Sequence, residues 1–192
     1  MPDRPRFTLL VVSSADGFIA RAPGHAPADW ASAEEQALFL AAVDAADWGI
    51  MGRTTHEAAF KPHRRRVVLS RSAPEPAWRT PSHLWLDPAD MTPDDLAALV
   101  DPAHPLREGL ILGGTAVHDW FAAHGRIDMV ELTVEPVRFG AGLPIFFDQS
   151  DRDPMAAFEK KGFLVANERA LNTGGSRLVT LRPAGSEAVR SG

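Results

Sequence analysis

The chain of 192 residues contains no cysteine, so disulfides, thiolate nucleophiles and cysteine-ligated zinc or iron–sulfur centres are excluded. It also lacks an excess of positive charge. Twenty Lys and Arg stand against 25 Asp and Glu, a net charge of −5, and no basic stripe is present to displace counterions from a nucleic acid. The one basic run, Arg64–Arg65–Arg66, reads as a solvated loop entering a strand. No apolar run is long enough to span a bilayer, and Met1 to Arg6 is polar with no apolar segment before a cleavage site, so a soluble, cytoplasmic protein is expected. His56, His63, His118 and His124 lack a metal-ligand spacing with acids, and no G-x-S-x-G elbow supports a hydrolase.

What is present is ordinary for a folded enzyme. Hydrophobic residues make up 45% and charged residues 23%, which suits one domain over residues 1–182 with a flexible tail over 183–192. Phe7–Val12 reads as a buried strand ending in the Asp16–Gly17 turn, and Phe18–Ala20 resumes briefly. Arg21–Asp29, with two prolines and a glycine, is a loop able to cover a site. Ser32-Ala33-Glu34-Glu35 has the form of a capping box opening a helix to Ala46, whose apolar face is Leu38, Phe39, Ala42, Val43 and Ala46. Thr54 or Thr55 can cap a helix running to Phe60, and Thr92 one running to Val100. Between Ala73 and Pro88 one short strand, His83–Leu86, is expected. Past residue 125 only strands are expected, among them Ile127–Val137, where Val130, Leu132 and Val134 alternate with Glu131, Thr133 and Glu135 to give one polar face.

Three strands run into small or polar turns: Gly52-Arg53-Thr54-Thr55, Leu69-Ser70-Arg71, and Leu112-Gly113-Gly114-Thr115. A helix N-terminus attracts anions, a glycine pair admits a pyrophosphate, and arginine with hydroxyls recognises a further phosphate. These turns point to NADPH. Strands alternate with helices and then give way to strands, implying a mixed, mostly parallel central sheet with antiparallel C-terminal strands and helices on both faces. No G-x-G-x-x-G follows the first strand, so Rossmann winding is not implied.

In this order the motifs resemble the dihydrofolate reductase superfamily, in particular single-domain relatives of the reductase domain of riboflavin biosynthesis. The resemblance covers residues 6 to 182 through Val12–Ala20, Ile50–Thr55, Leu69–Arg71, Ile111–Val117, and Leu132-Thr133 leading to Gly142–Phe146. It implies an α/β, dihydrofolate-reductase-like three-layer fold. It also implies that Gly52, Arg53, Thr54, Thr55, Ser70 and Arg71 hold the adenosine-phosphate end of NADPH. Gly113, Gly114, Thr115, Ala116 and Val117 would lie at the pyrophosphate, and Ile19 at the nicotinamide.

For substrate, the resemblance points to Trp30 and Phe39, and to a catalytic pair in which Thr133 hydrogen-bonds Glu35 four residues before Phe39. Glu35 has a second reading as the last member of the Ser32 capping box, and Asp29 ranks behind it as a carboxylate. His118 replaces the tyrosine usual after the glycine pair in folate enzymes, this chain having no tyrosine, and Leu112 replaces the acid usual before it in riboflavin-type reductases. The expected activity is NADPH-dependent hydride transfer to a C=N or C=O bond of a small pterin-like or pyrimidine-like molecule, with no metal, no nucleic acid and no membrane partner. A homodimer is expected by analogy. The competing reading is a non-catalytic nucleotide-binding module with the same fold.

Overall fold

A computed structural model describes residues 4–185. The opening apolar run becomes β1 (Arg6–Ser14), in which Phe7, Leu9 and Val11 point into the core. The elements that follow are β2 (Phe18–Ala20), α1 (Ala33–Ala45), β3 (Trp48–Gly52), α2 (Arg53–Ala58), β4 (Arg66–Leu69), β5 (Ala77–Thr80), β6 (His83–Leu86) and α3 (Asp95–Val100). After these come β7 (Glu108–Ile111), α4 (Thr115–Ala123), β8 (Met129–Glu135), β9 (Leu143–Pro144), α5 (Pro154–Glu159), β10 (Phe163–Ala170) and β11 (Arg177–Pro183).

One nine-stranded sheet has the order β10-β11-β8-β1-β7-β3-β4-β6-β5. The six strands from β8 to β6 are parallel, and β10, β11 and β5 are antiparallel additions. Leu9 lies opposite both Ile111 and Val130, which places β1 at the centre of the core. Each such fully buried aliphatic side chain contributes about 1.5–3 kcal/mol. The β3–α2–β4 and β7–α4–β8 crossovers advance in opposite directions along the sheet, which under the right-handed rule sends their helices to opposite faces. None of the helices among the described residues is long and apolar enough to cross a membrane.

Several expectations change. The proline-rich stretch before β6 holds a second strand, β5, and the segment after residue 125 contains a helix, α5, capped by Asp153 Oδ1 accepting from the Met155 N–H at 2.9 Å with Pro154 in its first turn. The N-cap of α2 is Gly52 and not Thr54 or Thr55, which lie inside the first turn, and the helix stops at Ala58. Thr92 does not cap α3 in the expected direction; its N–H and hydroxyl both donate to Asp95. Arg64–Arg66 does lead from a loop into β4, with Arg65 exposed, but its last residue is not solvated: Arg64 pairs with Asp44, Arg65 donates to the Asp47 carbonyl, and Arg66 is buried against His56. Pro183, the expected start of the tail, closes β11, and residues 186–192 lie outside the described residues.

Candidate active site

Because β1, β3, β4 and β7 are parallel, their carboxyl ends share one rim, the place where open α/β sheets bind ligands. The rim is stitched together by backbone. Gly52 N–H donates to Gly113 O at 2.8 Å, Leu112 N–H to Ile50 O at 2.8 Å, and Ser70 N–H to Leu86 O at 2.8 Å. A cleft of about 1570 Å³ opens along this rim. Gly52, Arg53, Thr54, Thr55, Ser70, Arg71, Gly113, Gly114, Thr115, Ala116, Val117, Ile19, Glu35 and Phe39 all line it. Trp30 and Thr133 do not.

At the glycine pair the backbone leaves room for a close approach. Gly113 has φ +92°, a conformation that side chains disfavour, and a Cβ there would stand 3.1 Å from His118 Nε2; a Cβ on Gly114 would meet nothing within 4 Å. The α4 N-terminus behind it is anchored, since Thr115 Oγ1 donates to Pro144 O at 2.6 Å. His118 is buried, and its Nδ1 lies 2.8 Å from Ile145 O. That carbonyl accepts, so Nδ1 carries the proton and Nε2 is left as an acceptor toward Gly113. Burial holds the ring neutral, with its pKa pushed down to about 4.

The serine turn offers hydroxyls and one open cation. Ser70 Oγ and Ser72 Oγ are 2.8 Å apart, and the exposed Arg71 guanidinium has no partner among the described residues. Arg53 is less free, with Glu57 at 3.9 Å one turn along α2.

Across the cleft, α1 departs from the usual pattern. Its apolar stripe does not enter the core: Phe39 is 38% exposed, and Phe39, Leu40 and Val43 form cleft wall. The one buried residue of the helix is Glu35, 5% exposed. Its carboxyl has no hydrogen-bond partner among the described residues, and burial, reinforced by the nearby Glu135 charge, raises its pKa from 4.5 to about 7. Among the described residues no hydrogen bond joins Thr133 to Glu35. Thr133 is buried on β8, outside the cleft lining, and on the polar face of β8 Thr133 and Glu135 are buried while Glu131 is half-buried. Glu135, two residues on, carries the contacts that sequence reasoning missed: its carboxylate accepts from Ser32 N–H at 2.8 Å, from Ser32 Oγ at 2.6 Å, and from Ser176 Oγ. The only legible signal for it was period-two placement beside Thr133.

Trp30 packs edge-on against Phe139, ring centroids 4.9 Å apart, and beside His25, so it braces the Arg21–Asp29 loop. Its indole N–H is buried without a partner among the described residues. The loop itself, through Ala22 to Ala28, lines the cleft, while Asp29 does not.

No protein-family model matches the chain, and no curated protein matches it in sequence. Solved structures do resemble it. A protein described as belonging to riboflavin biosynthesis from Shewanella sp. PV-4 superposes with a TM-score of 0.64 at 20% identity, over 92% of this chain and 98% of that one. The Thermotoga maritima diaminohydroxyphosphoribosylaminopyrimidine deaminase/5-amino-6-(5-phosphoribosylamino)uracil reductase gives 0.62 at 19% identity, over 94% of this chain and 57% of its own. Dihydrofolate reductase from Enterococcus faecalis, complexed with NADP(H) and RAB-propyl, gives 0.61 at 16% identity, over 93% and 96%. The fold is the dihydrofolate-reductase-like one.

Proposed function

We propose that this protein is an NADPH-dependent reductase acting on a C=N or C=O bond of a small pterin-like or pyrimidine-like substrate. One observation carries the reading: a single cleft joins a phosphate-compatible rim to a buried, partnerless carboxyl on the opposite helix. Its volume of about 1570 Å³ exceeds the roughly 300–1000 Å³ of a one-ligand pocket, leaving room for cofactor and substrate together. The NADP(H) bound to the Enterococcus enzyme and the reductase activity in the Thermotoga protein's name support the same choice.

The residues fit the cofactor. Gly113 and Gly114 give the pyrophosphate an approach to backbone at the start of α4, and Ser70, Ser72, Arg71 and Arg53 suit the 2′-phosphate through charge-assisted bonds. NADPH, when bound, supplies the hydride. Ile19, Phe39 and Phe147 then wall the reacting region with apolar surface. Glu35, holding its proton near neutral pH, donates it to a ring nitrogen or carbonyl of the substrate as the bond is reduced. Thr133, expected to hydrogen-bond Glu35, is buried on β8 outside the residues that line the cleft, and this reading gives the proton step to Glu35 alone.

The test is the rise in melting temperature with NADPH and with NADH at matched concentration, followed by NADPH oxidation across reduced and oxidised pterins and pyrimidines. A larger rise with NADPH is expected. Equal rises would remove the 2′-phosphate assignment, and NADPH binding without turnover across the panel would leave a nucleotide-binding module.

A further inference from the structure

A Ser-x-x-Glu box closes on itself: the serine hydroxyl accepts from the glutamate N–H, and the glutamate carboxylate reaches back to the serine N–H. In α1 only the first half forms, with Glu35 N–H donating to Ser32 Oγ at 3.3 Å. The second half goes elsewhere. Ser32 N–H donates to Glu135 Oε1, as does the Ser32 hydroxyl, across 103 residues of chain. The other Glu135 oxygen accepts from Ser176, which also accepts from Asn172 Nδ2 at 3.1 Å, and the same nitrogen lies 3.1 Å from Glu34 Oε2. The start of α1 is therefore clamped to the end of β8 and to the β10–β11 hairpin.

We propose that Glu135 is a positioning residue that takes over the N-cap of α1 and so releases the Glu35 carboxyl from the cap to the cleft. Three donors hold the Glu135 side chain in place, whereas the Glu35 carboxyl has none among the described residues. Three titratable groups come into question: Glu34, its chain neighbour, tied to Asn172; His25, on the loop that lines the same cleft; and Glu135. Of these, the Glu135 charge is the one that bears on Glu35, disfavouring a second negative charge beside it. Two acids 100 residues apart thereby take different jobs, one fixed as an anchor and one left with its proton.

The proposal builds on Glu35 as the proton-bearing group of the reductase, but its test needs no turnover. The Glu35 side-chain carboxyl carbon is followed by NMR through a pH titration of the whole protein, without cofactor or substrate. In the wild type the midpoint should lie near 7. In Glu135→Gln, which keeps the shape and one acceptor but removes the charge, it should fall by up to about one pH unit, burial holding the rest of the rise. Ser176→Ala provides a milder variant should Glu135→Gln not fold. By stripping one donor from Glu135 it loosens the carboxylate held beside Glu35, so the Glu35 midpoint should fall by less than in Glu135→Gln. A wild-type midpoint in the ordinary carboxylate range, or a midpoint unmoved in folded variants, overturns the proposal. Neither result touches NADPH binding, and a chain that binds no NADPH leaves the titration standing.

Discussion

Arg126 and Glu35 are both buried charged side chains, and the fold treats them oppositely. Arg126 is 2% exposed, and all three of its nitrogens are engaged: Nε and Nη2 donate to Asp94, Nη1 to Asp128, and Nη2 also to the Pro5 carbonyl, with the guanidinium 4.9 Å from the Phe7 ring centre. Asp128 in turn accepts from the Phe7 N–H at 2.8 Å, so the cluster holds the entry to β1 in register. Glu35 has no such partners. A protein able to build the first arrangement has left the second group without a protein partner among the described residues, at the edge of the cleft. The contrast separates a charge kept for structure from one kept for chemistry.

The largest effect should come from breaking the satisfied centre. Arg126→Ala removes the guanidinium from between two carboxylates and orphans the Pro5 carbonyl, and should cost about 3 kcal/mol. In thermal unfolding that is a fall of roughly 6–12 °C. The NADPH-induced rise in melting temperature should survive, because none of these residues lines the cleft. Loss of cofactor binding in a folded Arg126 variant would mean that the two regions are not separable.

Glu35→Gln should act in the opposite direction. With the folded-state pKa raised from 4.5 to about 7, the folded protein holds a proton that the unfolded chain has released, so stability falls as pH rises from 4.5 to 7 and has lost the full increment above 7. The amide cannot ionise. The variant should therefore be more stable than the wild type at pH 8.5 by roughly 1–3 kcal/mol in urea unfolding, the gap narrowing toward pH 4.5, while reductase activity is lost. Asp94 supplies the reverse slope. Arg126 holds its pKa below the usual carboxylate range, so its contribution is present above that range and lost as pH falls through the lowered value. A Glu35→Gln protein equally destabilised at both pH values would assign Glu35 to the cap.

The motif turns were legible because glycine and hydroxyl residues punctuate parallel strands in a fixed order, and parallel pairing forces their ends onto one rim. The helix carrying Glu35 was legible from Ser32, but its surroundings were not. An apolar stripe such as Phe39 with Val43 looks the same whether it meets a core or a ligand cleft, and here it meets the cleft. Alternation along β8 marked a polar face without saying whether water or another polar group would cover it; Ser32 and Ser176 cover Glu135. The two missed elements are short. β5 is four residues between prolines with Trp78 left exposed, and α5 is six, too little for periodicity to register.

The same comparison of engaged and open charge extends, more weakly, to the cations of the rim. Arg53 and Arg71 both line the cleft, and family resemblance gives both to the 2′-phosphate, but Arg53 has Glu57 within 3.9 Å while Arg71 has no partner among the described residues. A guanidinium already facing a carboxylate gains less from a phosphate, since the carboxylate repels the incoming anion as the arginine attracts it. Arg71→Ala should therefore erase more of the preference for NADPH over NADH than Arg53→Ala, with about a tenfold loss of NADPH affinity and little change for NADH. Glu57→Gln sharpens the distinction by freeing Arg53, and should strengthen NADPH binding by a few-fold at low salt, an advantage that fades as ionic strength rises. Titration calorimetry of the three variants with both nucleotides reads the order directly. If Arg53→Ala proves the more damaging and Glu57→Gln changes nothing, then Glu57 orients Arg53 for the phosphate and does not compete with it.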